Sequence, residues 1–274
     1  MKVRNGCILL IGFVVVVVLM QSCRLLSDLA RQPAGKPVVR FTEIPELSHI
    51  EHTIFITHYL PEEDKGNVRN YSILYDTIQK ISYWVAYPLH EMYLGNSGRS
   101  EAWNYDPLVA RHLQPRAHSG IAGFDRGHQL PSADRTYSRA GNATTFYFTN
   151  MTAQNASLNR GVWATLENNI RTWTARCDTL YVVTGAMTNN EMTYAKDNDG
   201  RDMAIPTYYY KALAQKIGNH YFTIAYQFDN VVPVSRNIDA YQMTVRELEE
   251  KTGFVFFPTL PKQAKDSIEI EYWQ

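Results

Sequence analysis

Cysteine is scarce here: three in 274 residues, at positions 7, 23 and 177. Two of them fall within or at the end of the N-terminal segment, so Cys177 is alone in the body of the chain. A lone cysteine forms no internal disulfide and offers no thiolate cluster for zinc, and reads as a small buried hydrophobe. Net charge is missing too, with 27 basic residues against 27 acidic, so the chain as a whole predicts no polyanionic partner. The N-terminal apolar run ILLIGFVVVVVLM has thirteen residues, short of the roughly 20 that span a bilayer as a helix. No internal repeat or low-complexity tract interrupts the rest, and 45% hydrophobic against 20% charged residues excludes disorder as the default.

That apolar run follows Lys2 and Arg4 and precedes QSC at 21–23, the layout of a signal peptide. Cys23 looks like the lipidated cysteine of a bacterial lipoprotein, with Met20, Gln21 and Ser22 a loose match to the usual lipobox. The expected organisation is a signal peptide over 1–23, a tether over 24–50, and one domain over 51–274. The tether opens with the aperiodic, Pro- and Gly-containing RLLSDLARQPAGKPVVR. The domain is then exported, as a membrane-anchored lipoprotein facing the periplasm or the cell exterior, or as a secreted soluble protein.

Charge is unevenly spread. From Arg111 to Arg176 there are eight arginines, no lysine and three acidic residues (Asp125, Asp134, Glu167), an excess of five positive charges. Such a basic centre is either a footprint for phosphate or chance clustering on a solvated face. Around it, YSILYDTIQKISYWVAYPL (71–89) predicts two paired strands about a polar turn, and TTFYFTN (144–150) another strand. LYVVTGAM (180–187), TYYYKALAQ (207–215) and HYFTIAYQF (220–228) read as further strands. LNRGVWATLENNIRTWTAR (158–176) predicts a helix whose stripe is Leu158, Val162, Leu166, Ile170 and Trp173. A late helix starts near Thr244, with Glu247 at capping-box spacing and Gly253 as its stop. Without repeated βαβ units, a mixed α+β domain is expected.

FDRGHQLPSADR (124–135) packs two aspartates, two arginines, a glycine and a histidine into one short stretch. Hydrolysis of a phosphodiester needs a base for water, positive charge for the phosphoryl oxygens, and stabilisation of the leaving alkoxide. His128 supplies the base and Arg126 a planar fork for phosphate. Gly127 permits a tight turn, and TFYFTN pairs back to orient the imidazole. On a regular helix at ~100° per residue, Asn159 and Glu167 lie within roughly 80° of each other. Glu167 and Arg171 are one turn apart. A base, a carboxamide, a carboxylate and two arginines thus converge, and the absence of a histidine pair or cysteine cluster favours a hard ion such as Mg²⁺ over zinc. Singly, each residue has a blander role: His128 in a polar loop, Asn159 as a helix N-cap, Glu167 and Arg171 as a surface ion pair.

DRGHQLPSA (125–133) resembles the signature of the DNA/RNA non-specific endonucleases, the ββα-metal or His-Me finger nucleases. TNMTAQNASLNRGVWATLE (149–167) is similar to the family's second block. VVTGAM (182–187), IPTYYYKA (205–212) and ELEEKTGFVFFP (247–258) are similar to its later strands and closing segment. The resemblance covers roughly 70 to 260 and implies a ββα-metal core within a mixed, largely antiparallel sheet flanked by helices. It implies His128 as general base, Asn159 as the protein ligand of Mg²⁺ (Mn²⁺ or another divalent ion being possible), and Glu167 as the carboxylate orienting metal-bound water. It further implies Arg126 and Arg171 as phosphate-binding residues, backbone near Asn150 as the anchor of the other imidazole nitrogen, and 5′-phosphate products from DNA and RNA. A possible homodimer is also implied. Arg99 before WNYDP (103–107) is a shifted counterpart of a further family arginine, and Asp125 is expected to fix the turn.

Two other readings compete with this one. One is a hydrolase of the same scaffold for a narrower phosphodiester, or for one strand type only; the other is a nucleic-acid-binding lipoprotein of the same fold with narrow or no catalytic activity. The joint presence of base, carboxamide and carboxylate separates catalysis from binding alone.

Overall fold

The computed structural model describes residues 41–47, 49–61 and 68–274, so the expected leader, Cys23 and residues 24–40 of the tether lie outside the described residues. Strand β1 (Thr53–Tyr59) pairs antiparallel with β2 (Arg69–Asp76), and β2 with β3 (Ile81–Leu89). The polar turn between β2 and β3 closes because Asp76 Oδ1 accepts from the N–H groups of Ile78 and Gln79 at 2.8 and 2.7 Å, an Asx turn. Strand β4 (Asp125–His128) pairs antiparallel with β5 (Met151–Gln154), apart from the main sheet. Strand β6 (Thr179–Met187) joins β3. Strands β7 (Thr193–Lys196) and β8 (Asp202–Ile205) form a small pair of their own. Strands β9 (Tyr208–Ile217), β10 (His220–Asp229) and β11 (Gln242–Met243) complete the antiparallel sheet, whose order is β1-β2-β3-β6-β9-β10-β11.

Helix α1 (Arg139–Thr144) precedes β5, and α2 (Ala156–Leu158) follows it. A π-helical stretch, Asn159–Trp163, leads into α3 (Ala164–Thr174). The last helix, α4 (Val245–Thr252), has the expected capping box between Thr244 and Glu247. It ends at Gly253, whose φ of 75° is left-handed.

The main sheet is covered on both faces. The expected stripe Leu158, Val162, Leu166, Ile170 and Trp173 is buried against one face, with Ile73, Val85, Val182, Tyr209 and Leu213. The other face packs Trp84, Val183, Tyr210 and Ala212 against Val245, Leu248 and Phe254. Strand alternation alone therefore assigns each sheet residue to the side of α3 or of α4. Among the described residues, no helix is long and apolar enough to cross a membrane.

The structure departs from two sequence expectations here. The strand expected over 144–150 does not form: residues up to Thr144 close α1, and Phe148–Asn150 form a 3-10 turn. The hydroxyls of Thr144 and Thr145 return to the carbonyls of Gly141 and Asn142 at 2.7 and 2.8 Å. Those bonds and the burial of Phe146 and Phe148 override the β-propensity of the segment; the partner strand of β4 is the next one, β5. Further back, Phe41–Glu46, within the stretch expected as tether, pack on the domain. Glu43 is ion-paired with Arg69, Arg69 lies 4.4 Å over the Phe41 ring, and Glu46 N–H donates to Val255 O at 2.9 Å.

Candidate active site

Strands β4 and β5 and the helical segment after them bring the residues of DRGH towards Asn159. In β4 the register sets His128 opposite Met151 and Gly127 opposite Thr152. Gly127 is required by close approach rather than by a turn: a Cβ there would stand 2.6 Å from Gln154 Cβ. That close approach lets the two strands lie tightly against each other.

The His128 ring is wedged between two aromatic rings, with centroids 5.5 Å from Trp103 and 5.0 Å from Phe146. Its Nε2 is buried without a partner among the described residues. Burial, then the nearby Arg99 charge, push the imidazole pKa down to about 3, against an opposing hydrogen bond to the Arg126 backbone. The ring is therefore neutral at pH 7, with the Nε2 lone pair unprotonated. The anchor expected in the backbone near Asn150 is supplied by the Arg126 backbone, and Asn150 is engaged elsewhere. Its carbonyl accepts from Gln129 N–H at 3.1 Å, and its carboxamide ties Leu130 to Thr145.

Arg126 lies over Trp103, its guanidinium carbon 3.4 Å from the ring centroid. One nitrogen, Nη1, donates to the carbonyls of Ala117 and His118 at 3.0 and 2.8 Å. Arg99 reaches the same place from the other side of the chain. It stands 4.8 Å over the Phe146 ring, donates to Ser132 Oγ at 3.0 Å, and is ion-paired with Glu101.

Asn159 is fixed by Asp125. Its Nδ2 donates to Asp125 Oδ2 at 2.9 Å, while Arg160 Nε donates to the same oxygen at 2.8 Å. Arg160's hydrogen bonds, with that of Asn159, hold the Asp125 carboxyl below the usual carboxylate range. A carboxamide whose N–H is committed must turn its Oδ1 the opposite way, and among the described residues no hydrogen bond holds that oxygen. Asn159 is not on a regular helix with Glu167, because the π-helical stretch contains Gly161 at φ −105° and ψ −117°. The simple angular argument therefore does not hold across it.

Glu167 and Arg171 form no ion pair with each other among the described residues. Arg171 Nη1 donates instead to Asp134 Oδ1 at 2.8 Å, and Tyr87 Oη donates to Asp134 Oδ2 at 3.1 Å. Burial raises the Glu167 carboxyl pKa, opposed by the Lys211 charge and reinforced by Asp134. Lys211 shows in the sequence only as a lysine inside the strand TYYYKALAQ. Strand parity puts Lys211 between Tyr209 and Leu213, on the face covered by α3. Its Nζ donates to Thr184 Oγ1 at 2.7 Å and lies 4.6 Å over the Trp163 ring. Burial lowers the pKa of this ammonium, opposed first by Glu167 and then by Asp134. Glu167, Asp134, Arg171 and Lys211 thus form one network of alternating charge.

Among the described residues no three His, Cys, Asp or Glu side chains gather as a metal cage. The donors available are one carboxamide oxygen with a carboxylate nearby. That set fits a hard divalent ion that draws most of its ligands from water and phosphate.

A chain of this build has relatives of known class. It is 30% identical over 211 residues to a nuclease of Nostoc sp. (strain PCC 7120 / SAG 25.82 / UTEX 2576), covering 73% of this chain and 75% of that protein. It is also 30% identical over 211 residues to a nuclease of Serratia marcescens, covering 72% and 76%. Its fold matches the crystal structure of an EndoG/EndoGI complex with a TM-score of 0.61 at 23% identity, covering 71% of this chain and 86% of that one. The DNA/RNA non-specific endonuclease family matches residues 52–263, and the chain belongs to that family.

Proposed function

We propose that the protein is a divalent-metal-dependent endonuclease that hydrolyses DNA and RNA with little sequence preference. The observation that carries this proposal is the unpartnered Nε2 of His128, buried beside Arg126 and Arg99. A neutral imidazole with a free lone pair amid positive charge is arranged to deprotonate water next to a phosphate. His128 Nε2 takes the proton of the attacking water. Arg126, through the guanidinium edge not bound to the loop carbonyls, and Arg171 hold the phosphoryl oxygens. Asn159 Oδ1, set by Asp125, would hold a divalent cation, Mg²⁺ or Mn²⁺, and Glu167 would orient its water. Such an ion supplies positive charge to the transition state and to the leaving 3′ oxygen, which gives 5′-phosphate ends.

Contacts of this kind are to backbone rather than base edges, so binding should weaken steeply with salt. The leader pattern and Cys23 support export and lipid anchoring, which would keep the activity away from the producer's own genome. Finding active protein in the cytoplasm would count against that location. Loss of plasmid and RNA cleavage on chelation, and on His128→Ala, tests the function itself; cleavage that survives both removes it.

A further inference from the structure

Four of the five tryptophans are buried: Trp84, Trp163, Trp173 and Trp273 are at most 4% exposed. Trp103 is the exception, half-buried like Tyr105 two residues on. Both rings are propped from beneath by the segment that failed to become a strand. Trp103 meets Phe146 edge-on at 4.8 Å, and Tyr105 meets Phe148 edge-on at 5.2 Å. Asn104, between them, is pinned to this segment through its backbone: its N–H donates to Phe146 O at 3.3 Å and its carbonyl accepts from Phe148 N–H at 3.0 Å.

Cations attend both rings. Arg126 lies 3.4 Å over Trp103, and Arg111 lies 5.3 Å over Tyr105. His118 stands edge-on to Tyr105 at 5.7 Å. The strip begins at the catalytic imidazole, since His128 is 5.5 Å from Trp103. Rings and guanidinium planes of this kind are what single-stranded nucleic acids stack their bases on, with the cations following the backbone. Inside a duplex the base faces are covered by their neighbours and cannot make that contact.

We propose that Trp103 and Tyr105, with Arg126 and Arg111, form a stacking platform for unpaired bases flanking the scissile phosphate. Unpaired nucleic acid is then the better substrate. The proposal rests on the nuclease function above and names the strand form that its site prefers.

The test uses His128→Ala protein in EDTA, so that substrate stays intact, and three probes of equal length: oligodeoxythymidine, a duplex, and a strand of abasic sites. Trp103 alone among the tryptophans is placed to report contact by its fluorescence. Oligodeoxythymidine should quench it saturably, while the abasic strand should not. Tyr105→Leu in the same background should weaken oligodeoxythymidine binding by about 5- to 150-fold, Tyr105→Phe should restore it, and neither should change binding of the abasic strand. Equal effects on all three probes, or no quenching, would overturn the platform. Cleavage by the unaltered enzyme is assayed separately. Base-dependent quenching without cleavage would retain the platform and remove the nuclease; cleavage without base dependence would do the reverse.

Discussion

The side-chain amide of Asn159 donates to Asp125 across the ββα unit, Nδ2 to Oδ2 at 2.9 Å. Asp125 opens β4, and Asn159 opens the π-helical stretch before α3, so one bond ties the strand carrying His128 to the proposed metal ligand. Asp125→Ala frees the carboxamide to rotate and should lower activity about 10- to 100-fold. Most of that loss should appear as a higher divalent-ion requirement. Titrating Mg²⁺ against initial rate checks this; a half-saturating concentration equal to that of the unaltered protein would contradict it.

Burial keeps His128 neutral far below its ordinary range, its pKa pushed down to about 3. The unfolded chain takes up that proton near pH ~6.5. As pH falls below ~6.5, the unfolded state therefore binds more protons, and stability is lost at up to about 1.4 kcal/mol per pH unit from this residue. The carboxylates held low, Glu101, Asp106, Asp125 and Asp197, act in a lower window, below roughly pH 4. His128→Asn should flatten the stability curve between pH ~6.5 and ~4.5 relative to the unaltered protein. Denaturant melts of both across that window decide it, and parallel curves are the contrary result.

Lys211 is the cation that keeps a buried Glu167 ionisable. With Lys211→Met, the raised Glu167 pKa rises further, so the acid limb of kcat/KM moves to higher pH. Leaving Glu167 without its counter-charge should also cost about 3–5 kcal/mol in stability. Measuring pH–rate profiles for both proteins separates the two effects, since a merely structural lysine would lower stability without moving the limb.

Gly127→Ala drives a Cβ onto Gln154 and should destabilise by about 1–3 kcal/mol. Activity should fall too, because His128 is the next residue. Combining it with Gln154→Gly, which removes the opposing Cβ, should recover part of both. No recovery in the double variant would mean that the clash is not the cause.

Much of this was legible in the sequence, for identifiable reasons. The 71–89 hairpin, the stripe from Leu158 to Trp173 and the Thr244–Glu247 capping box are local signals, and each appears in the fold. Other features depend on contacts far apart in the chain. Phe146 and Phe148 read as strand residues, yet they serve as buried props for Trp103 and Tyr105. The one-turn spacing of Glu167 and Arg171 also allowed an ion pair, but Arg171 pairs with Asp134, 37 residues earlier. Lys211 shows only as an odd residue in an apolar strand until β9 lies beneath α3. Periodicity gives the face of an element; it does not give what lies opposite.

The most direct test of the central claim is cleavage by the purified protein. Supercoiled plasmid and a structured RNA would be incubated with Mg²⁺ or with EDTA, beside His128→Ala. Both substrates should be degraded only with metal, and the variant should be slower by about 10²- to 10⁴-fold. Substrates left intact by the unaltered protein, but shifted on a gel, would mean a binding site in place of a nuclease.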